Sequence, residues 1–145
     1  MGTRRRAREL AVQVLFHLGF SPGDPGSVFD LICECFEFPD SIRPFARELV
    51  IGVWRHKREL DQLISQASKH WRLERMSRVD KSILRVATFE ILCRDDIPPK
   101  VSIDEAVEMG KKFGSDDSSG FINGVLDNIY NTLIKHGRIK REEDA

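Results

Sequence analysis

The stretch that decides the fold is VDKSILRVATFEILC, residues 79–93, because it is apolar on nearly every side of a helix. Its apolar residues do not alternate as in a half-buried strand but recur at helical spacing. They are Ile83, Leu84, Val86, Ala87, Phe89, Ile91 and Leu92. A helix that is hydrophobic all round is usually enclosed by other helices, so this segment predicts the buried centre of a helical bundle.

Apolar residues also recur at helical spacing in the part of the chain before residues 79–93, and no strand-like alternation interrupts this pattern. An apolar stripe over residues 7–18 predicts a first helix. We predict that Ser27 caps a short second helix and that Ser41 caps a third, which covers residues 45–68. Gly52, inside that third helix, predicts a bend, because glycine costs helical stability.

Two further helices are predicted after the centre. Ser102 and Glu105 have the spacing of a capping box, in which each side chain satisfies a free backbone amide at the start of a helix. Gly114 then predicts a left-handed stop for that helix. A loop leads into the last helix, which carries Phe121 and which Gly137 ends.

These segments together predict a compact all-α fold of six or seven helices in a single domain, residues 1–145. We expect two small helical sub-bundles, at about residues 1–76 and 77–137. The charged end, residues 138–145, is expected to be flexible.

The composition of the chain indicates its charge balance, its redox environment and whether it could span a membrane. Its 145 residues include 23 basic and 23 acidic side chains, which cancel, so any affinity for nucleic acid has to come from a local patch. Only three cysteines occur, and Cys33 and Cys35 lie too close in sequence to close a useful loop, which favours a reduced, cytoplasmic environment. No segment reaches the roughly 20 apolar residues of a membrane-spanning helix.

The sequence offers little that could carry catalysis. Its histidines are scattered and form no pair with metal-ligand spacing: His17, His56, His70 and His136. Cys93 ends an apolar helix and is interpreted as a small core residue rather than a nucleophile. Neither a phosphate loop nor a dinucleotide glycine motif is present. We therefore expect a protein that is not an enzyme.

A cluster of arginines opens the chain and is the strongest candidate for binding a polyanion. Its members are Arg4, Arg5, Arg6 and Arg8. The planar guanidinium suits phosphate oxygens, and the start of a helix adds free amides and a positive dipole end. If all four neutralise phosphates of single-stranded RNA, the log–log salt slope is roughly −3. The residues alone leave open the alternative of a solvated basic cap.

The loop GSDDSSG, residues 114–120, is the second candidate, together with Phe121 at the start of the last helix. An exposed Phe121 would stack on an unpaired base, which is how proteins commonly recognise single-stranded RNA. The alternative, which the sequence alone favours, is that Phe121 packs in the core.

Four blocks of this sequence resemble the NusB transcription antitermination family, in family order and at family spacing. They are RRRARELAVQVLF at residues 4–16, ILRVATFEIL at 83–92, IDEAVEMGKKFG at 103–114 and FINGVLD at 121–127. Residues 19–42 match weakly, and nothing is carried over there. Gly110 and Gly120 depart from the family pattern, and Gly120 stands where many relatives have a larger, often basic residue.

The resemblance implies an all-helical fold of two small bundles and a function without catalysis, metal or cofactor. Family members bind the single-stranded boxA element of nascent ribosomal RNA as a heterodimer with the ribosomal protein NusE. That complex acts within the antitermination assembly of RNA polymerase and helps it to read through terminators. The resemblance implies no membrane association, and relatives occur both as monomers and as homodimers.

The resemblance also assigns roles to residues of this chain. The RNA-binding residues are expected in the first helix and in the loop before the last helix: Arg4, Arg5, Arg6, Arg8, Asp117, Ser118 and Phe121. The contacts with NusE are expected on the other side of the molecule, at Phe16 and Asp80.

Two other functions compete with RNA-dependent antitermination. One is a helical adaptor or homodimer that binds only proteins, in which the arginines merely solubilise the end of a helix. The other is the RNA-targeting domain of an RNA methyltransferase, since such enzymes can carry a similar module. It ranks last, because 145 residues leave no room for a cofactor-binding sheet.

Overall fold

Helix α4, the predicted centre of the bundle, spans Arg78–Cys93 in the computed structural model of the chain. Ser77 caps it, because its hydroxyl accepts a hydrogen bond from the backbone N–H of Asp80 at 3.0 Å. Every residue from Ser82 to Ile91 except Arg85 is buried. The prediction of a buried central helix is confirmed.

Five further helices accompany α4 in the part of the chain that the structure describes, residues 3–20, 23–68 and 73–140. They are α1 (Thr3–Phe20), α2 (Pro25–Phe36), α3 (Arg43–Ala67), α5 (Pro99–Phe113) and α6 (Ser118–Lys135). Short 3₁₀ turns at Asp40–Ile42 and Leu73–Arg75 precede α3 and α4. These ranges contain no strand, and the all-α prediction is confirmed.

One hydrophobic core joins the helices. Leu10 of α1, Leu49 of α3, Leu84 of α4 and Ile122 of α6 are fully buried members of the same cluster. Each such side chain contributes about 1.5–3 kcal/mol when it leaves water. The division into two sub-bundles stays a prediction, and residues 141–145 of the predicted tail lie outside the described residues. None of the described helices is both long and apolar enough to cross a membrane.

Gly52 has a packing role in α3. The helix runs without interruption through Gly52, and the aromatic ring of Phe89 on α4 occupies the space that a β-carbon at position 52 would need. The missing side chain therefore lets α3 and α4 approach closely, which offsets the helix propensity that glycine costs.

Two of the predicted N-terminal caps are wrong. Helix α2 begins before Ser27, and the carboxylate of Asp24 accepts a hydrogen bond from the backbone N–H of Ser27 at 2.9 Å. Ser41 lies within the 3₁₀ turn that leads into α3, and Ile42 stands at the cap position without a side-chain hydrogen bond. Ser27 therefore lies three residues after the cap position of α2, and Ser41 lies one residue before that of α3.

The predicted capping box is also wrong, because α5 begins at Pro99 and holds both residues in its interior. The hydroxyl of Ser102 donates to the buried carboxylate of Glu90 at 2.7 Å, and the carboxylate of Glu105 accepts from Arg5. A buried carboxylate needs hydrogen-bond donors more than a helix end next to solvent needs a cap, so the tertiary partners prevail.

The ends of the last two helices differ from each other. Gly114 ends α5 in an extended conformation (φ −93°, ψ −168°), so the predicted left-handed stop is wrong; a β-carbon there would collide with Ser118. Helix α6 begins at Ser118, three residues earlier than expected. Gly137, with φ of 71°, follows the end of α6, which confirms its predicted role.

Candidate RNA-binding surface

The arginine cluster lies in the first turns of α1, and its side chains point either to the surface or into the interior. Arg4, Arg5 and Arg6 are exposed, whereas Arg8 is only 4% exposed. Arg8 falls within the apolar stripe of α1, between Ala7 and Ala11, and both of these alanines are fully buried. The four arginines that the sequence groups together therefore have different surroundings.

Arg8 is held in the interior by two carboxylates. Its Nε and Nη2 donate to the carboxylate of Glu90 at 2.7 and 2.9 Å, and its Nη1 lies 3.4 Å from Glu105. Ser102 completes the set by donating to Glu90. The structure thus places the Arg8 guanidinium inside the protein, away from the surface where RNA would bind, and this corrects its predicted role as a direct contact.

Arg5 lies on the surface above this buried pair and also has a carboxylate partner. Its Nε and Nη2 donate to Glu105 at 3.1 and 2.6 Å. The hydrogen bond from Arg5 is the main reason that the pKa of Glu105 lies below its usual value. Glu105 therefore stays ionised and fixes the direction of the Arg5 guanidinium, whose remaining N–H groups face away from this bond.

Arg4 packs over an aromatic ring that it shares with two other arginines. Its guanidinium lies 4.7 Å from the ring centre of Phe45, and those of Arg94 and Arg8 lie at 5.3 and 5.6 Å. Arg4 also pairs with Asp96 at 3.5 Å. The hydrogen bonds from Arg94, and to a smaller extent the charge of Arg4, lower the pKa of Asp96 to about 2.

Arg6 differs from the other three, because no carboxylate of the described residues lies within ion-pair distance of it. It lines a groove of about 440 Å³ between α1 and the end of α5, with Phe16, Phe38, Val79 and Phe113 as apolar walls. An uncompensated guanidinium at the mouth of an aromatic groove is suited to a ligand that has both phosphates and flat rings.

The end of α5 contributes residues that the sequence interpretation missed. Phe113 is exposed, and the ammonium of Lys112 lies 5.3 Å from its ring centre. Lys112 also pairs with Glu9 on α1 at 3.1 Å. Phe113 follows Met109 by four residues and Ala106 by seven, so helical spacing predicts a core position for it, and its exposure had no signal in the sequence.

The turn between α5 and α6 presents its three predicted residues in different ways. Asp117 is exposed and stands before α6 without a side-chain capping bond. Ser118 is buried, and its hydroxyl accepts a hydrogen bond from the backbone N–H of Ser115 at 2.9 Å, so it shapes the turn. Phe121 is half-buried and packs against the core, which leaves part of its ring accessible.

The two residues predicted to contact a partner protein lie in, or next in sequence to a residue of, the groove that Arg6 lines. Phe16 is half-buried in the same groove as Arg6, and Val79, the neighbour of Asp80, lines that groove too. The expectation that they lie on the other side of the molecule is therefore wrong for Phe16. The Oδ1 atom of Asp80 is buried and has no hydrogen-bond partner in the described part of the chain.

Comparison with known proteins identifies the family. A sequence model of the NusB family matches residues 5–131. The chain belongs to the NusB family. It is 50% identical over 131 residues to the transcription antitermination protein NusB of Desulforapulum autotrophicum, with 89% of this chain and 92% of the relative covered. The corresponding protein of Geobacter sulfurreducens is 48% identical over 139 residues, which cover 94% of this chain and 100% of the relative.

Solved structures of the family have the same fold. NusB of T. maritima superposes with a TM-score of 0.81 at 36% identity, and the match covers 88% of this chain and 90% of that one. A structure of the antitermination factors NusB and NusE in complex with double-stranded RNA contains a chain that matches with a TM-score of 0.83 at 26% identity, covering 91% and 98%. The chain is thus a transcription antitermination protein of the NusB family.

Proposed function

We propose that this chain binds the boxA element of nascent ribosomal RNA together with the ribosomal protein NusE, and that the complex promotes read-through by RNA polymerase. The related NusB has been solved with NusE and RNA, which supports both partners. The exposed arginines of α1 hold the RNA backbone, and the turn before α6 contacts bases. Positioning and sequence recognition then depend on different residues.

The observation that carries this proposal is the exposure of three arginines on one end of α1. Arg6 has no carboxylate partner among the described residues, and Arg4 and Arg5 each use only part of their donor set on Asp96 and Glu105. A guanidinium has five N–H donors, so two bonds to a carboxylate leave others for phosphate. With Arg8 buried, the salt slope from this cluster is about −2.

Recognition of bases is assigned to two aromatic side chains, of which Phe113 lines the same groove as Arg6. Phe121 at the start of α6 and the exposed Phe113 at the end of α5 flank the turn that contains Asp117. Stacking of a base on an aromatic ring contributes about 1–3 kcal/mol. The carboxylate of Asp117 repels phosphate but can accept hydrogen bonds from base amino groups, which favours one path of the RNA over others.

Binding of NusE is assigned to the region of Phe16 and Asp80. A buried carboxylate oxygen without a hydrogen-bond partner is costly, and a donor from a partner protein would remove that cost. Because Phe16 and Arg6 line one groove, RNA and NusE would meet along a continuous surface. This arrangement explains how NusE extends the RNA contact of a protein that has no net charge.

The experiment is a fluorescence-anisotropy titration of a short boxA RNA and a scrambled RNA, with and without NusE. Replacement of Arg6 by Gln removes one phosphate contact and lowers the salt slope by about 0.7. Arg75→Gln is the matched control, because Arg75 is an exposed cation in the turn before α4. Asp80→Asn should reduce the gain from NusE while binding of RNA alone is retained.

Equal binding of the boxA and scrambled RNAs in the presence of NusE would contradict the proposal. An Arg6→Gln variant that behaves like Arg75→Gln would contradict the assignment of the arginine cluster while leaving the fold unaffected. The chain would then act as the protein-binding adaptor that the sequence also allows.

The proposed role is regulatory and requires no chemical step in this chain. We infer that it acts in the cytoplasm, where RNA polymerase releases nascent ribosomal RNA. The Arg8–Glu90 pair serves this role indirectly, because it anchors the turn of α1 that carries the exposed arginines.

A further inference from the structure

A second basic surface lies in the middle of α3, away from the residues considered so far. Its sequence is RHKR, residues 55–58, and all four side chains are exposed. Successive residues of an α-helix point about 100° apart, so four of them cover the whole circumference. His56 faces α4, where its ring centre lies 5.7 Å from that of Phe89, and the three cations lie on the rest of the circumference.

The positive charges of this turn are not offset by neighbouring carboxylates. Arg55, Lys57 and Arg58 have no ion-pair partner among the described residues. The two nearest acids in sequence are occupied elsewhere: Glu59 pairs with Arg138 at 2.8 Å, and Asp61 pairs with Arg85 at 2.8 Å. Three uncompensated cations thus stand on one helical turn.

A shallow hollow of about 570 Å³ continues this surface towards the end of α3. Its lining consists of Lys57, Arg58, Asp61, Gln62, Ser65 and Gln66. Apart from Asp61, which Arg85 neutralises, every one of these side chains can donate a hydrogen bond. Lys, Arg, Ser and Gln side chains are the groups that contact phosphate and sugar in protein–nucleic acid complexes.

The absence of exposed apolar side chains from this surface favours a nucleic acid over a protein. The exposed large hydrophobic residues of the described chain all lie in other elements: Leu31, Phe36, Val101 and Phe113. Protein interfaces have an apolar and aromatic centre, whereas nucleic-acid interfaces are polar and strongly positive. His56 contributes no apolar centre, because its Nδ1 bonds the carbonyl of Gly52 at 2.9 Å.

We propose that Arg55, Lys57 and Arg58, together with the hollow beside them, form a second RNA site that binds the backbone of RNA flanking boxA without regard to its sequence. This inference rests on the proposed function, since it extends the RNA that α1 binds. Phe45, which contacts Arg4, precedes Arg58 by thirteen residues on the same helix, or about 20 Å along its axis. A flanking segment of the same transcript can therefore reach both surfaces.

The test compares a short boxA RNA with RNAs extended by about twelve nucleotides on the 5′ or the 3′ side, in anisotropy titrations at two salt concentrations. In the unmodified protein, three phosphate contacts make the affinity advantage of one extended RNA fall by about 20-fold between 50 and 200 mM salt. In Arg55→Gln/Arg58→Gln, one contact remains and the advantage falls by only about 3-fold over the same range.

Two controls separate the site from a general effect of charge. The short RNA should bind the double variant as it binds the unmodified protein, because α1 is unchanged. Arg75→Gln removes an exposed cation from the turn before α4 and should leave the advantage of the extended RNA intact. Circular dichroism of the double variant should be unchanged, since both side chains are exposed and unpaired.

The proposal is overturned if neither extension raises the affinity, if the double variant keeps the full advantage, or if it loses affinity for short and extended RNA equally. A different result, equal binding of short boxA RNA and scrambled RNA, would contradict the function proposed above. A single set of titrations therefore distinguishes the two failures.

Discussion

The two basic surfaces of this protein have similar sequences and different surroundings. In RRRAR, residues 4–8, carboxylates pair with Arg4, Arg5 and Arg8. In RHKR, residues 55–58, the described chain provides no carboxylate partner for any arginine or lysine. A run of positive charge in a sequence therefore does not tell how much of that charge is available to a ligand.

The difference follows from what each helix packs against. The start of α1 lies beside α4, α5 and the loop between them, and these elements supply Glu90, Asp96 and Glu105. The exposed turn of α3 contacts α4 through His56, but none of the described elements pairs a carboxylate with its arginines or lysine. The first surface is consequently rigid and partly neutralised, which suits specific recognition, while the second is free, which suits binding that depends on charge alone.

The largest effect is expected in the free energy of unfolding, when replacement of a buried arginine is compared with replacement of an exposed one. Arg8→Ala leaves the carboxylate of Glu90 buried without its partner and should lower the free energy of unfolding by about 3–5 kcal/mol. Arg58→Ala should change it by less than about 0.5 kcal/mol. Urea denaturation followed by circular dichroism measures both.

A double replacement tests the reason for that loss. In Arg8→Met/Glu90→Met the pair becomes apolar, and most of the stability lost in Arg8→Ala should return. Equal stability of Arg8→Ala and Arg58→Ala would show that the ion pair is not the anchor of α1.

A smaller effect, on RNA affinity, is expected when a carboxylate is neutralised beside each surface. Glu105→Gln removes a negative charge next to Arg5 and should raise the affinity for short boxA RNA by about 3- to 10-fold at low salt, in the range of a single charge contact. Glu59→Gln removes the partner of Arg138 and should raise the affinity only for extended RNA. Titrations of both RNAs with both variants decide this, and the reverse pattern would contradict the assignment of the two surfaces.

The smallest effect is expected in the pH dependence of stability. The pKa of Asp96 is lowered to about 2, below its value in the unfolded chain, so its ion pairs stabilise the fold fully above about pH 4. This contribution disappears as the pH falls towards 2. The difference in unfolding free energy between the unmodified protein and Asp96→Asn should follow the same course in urea titrations between pH 2 and 6.

Asp61→Asn is the matched comparison for that measurement, because it also removes a carboxylate that pairs with an arginine, Arg85, but near the second surface. Parallel curves for Asp96→Asn and the unmodified protein down to pH 2 would contradict the prediction.

The sequence predicts helices well where the apolar spacing is local. The centre at α4 is confirmed, because side chains three and four apart on one helix decide it, and the end of α6 at Gly137 is confirmed, because glycine readily adopts a positive φ. The capping box at Ser102 and Glu105 is wrong, because partners about 12 and 100 residues away in sequence bind these side chains more favourably.

The burial of Arg8 could have been predicted, since the signal is in the sequence. Arg8 lies in the same apolar stripe as Ala11 and Leu15, and Glu90 is the acid inside the otherwise apolar part of α4. A cation and an anion that each occupy a core position are expected to pair. The lack of carboxylate partners for the α3 turn had no such signal, because it depends on which acidic residues of other elements lie within reach.

The contact between Gly52 and Phe89 restricts how this sequence can vary during evolution. The ring of Phe89 fills the volume of the missing β-carbon, so alanine at position 52 is tolerated only if the residue at position 89 becomes smaller or moves. The two positions therefore have to change together, and an ancestor or descendant of this chain with a side chain at position 52 is expected to lack the phenylalanine at position 89.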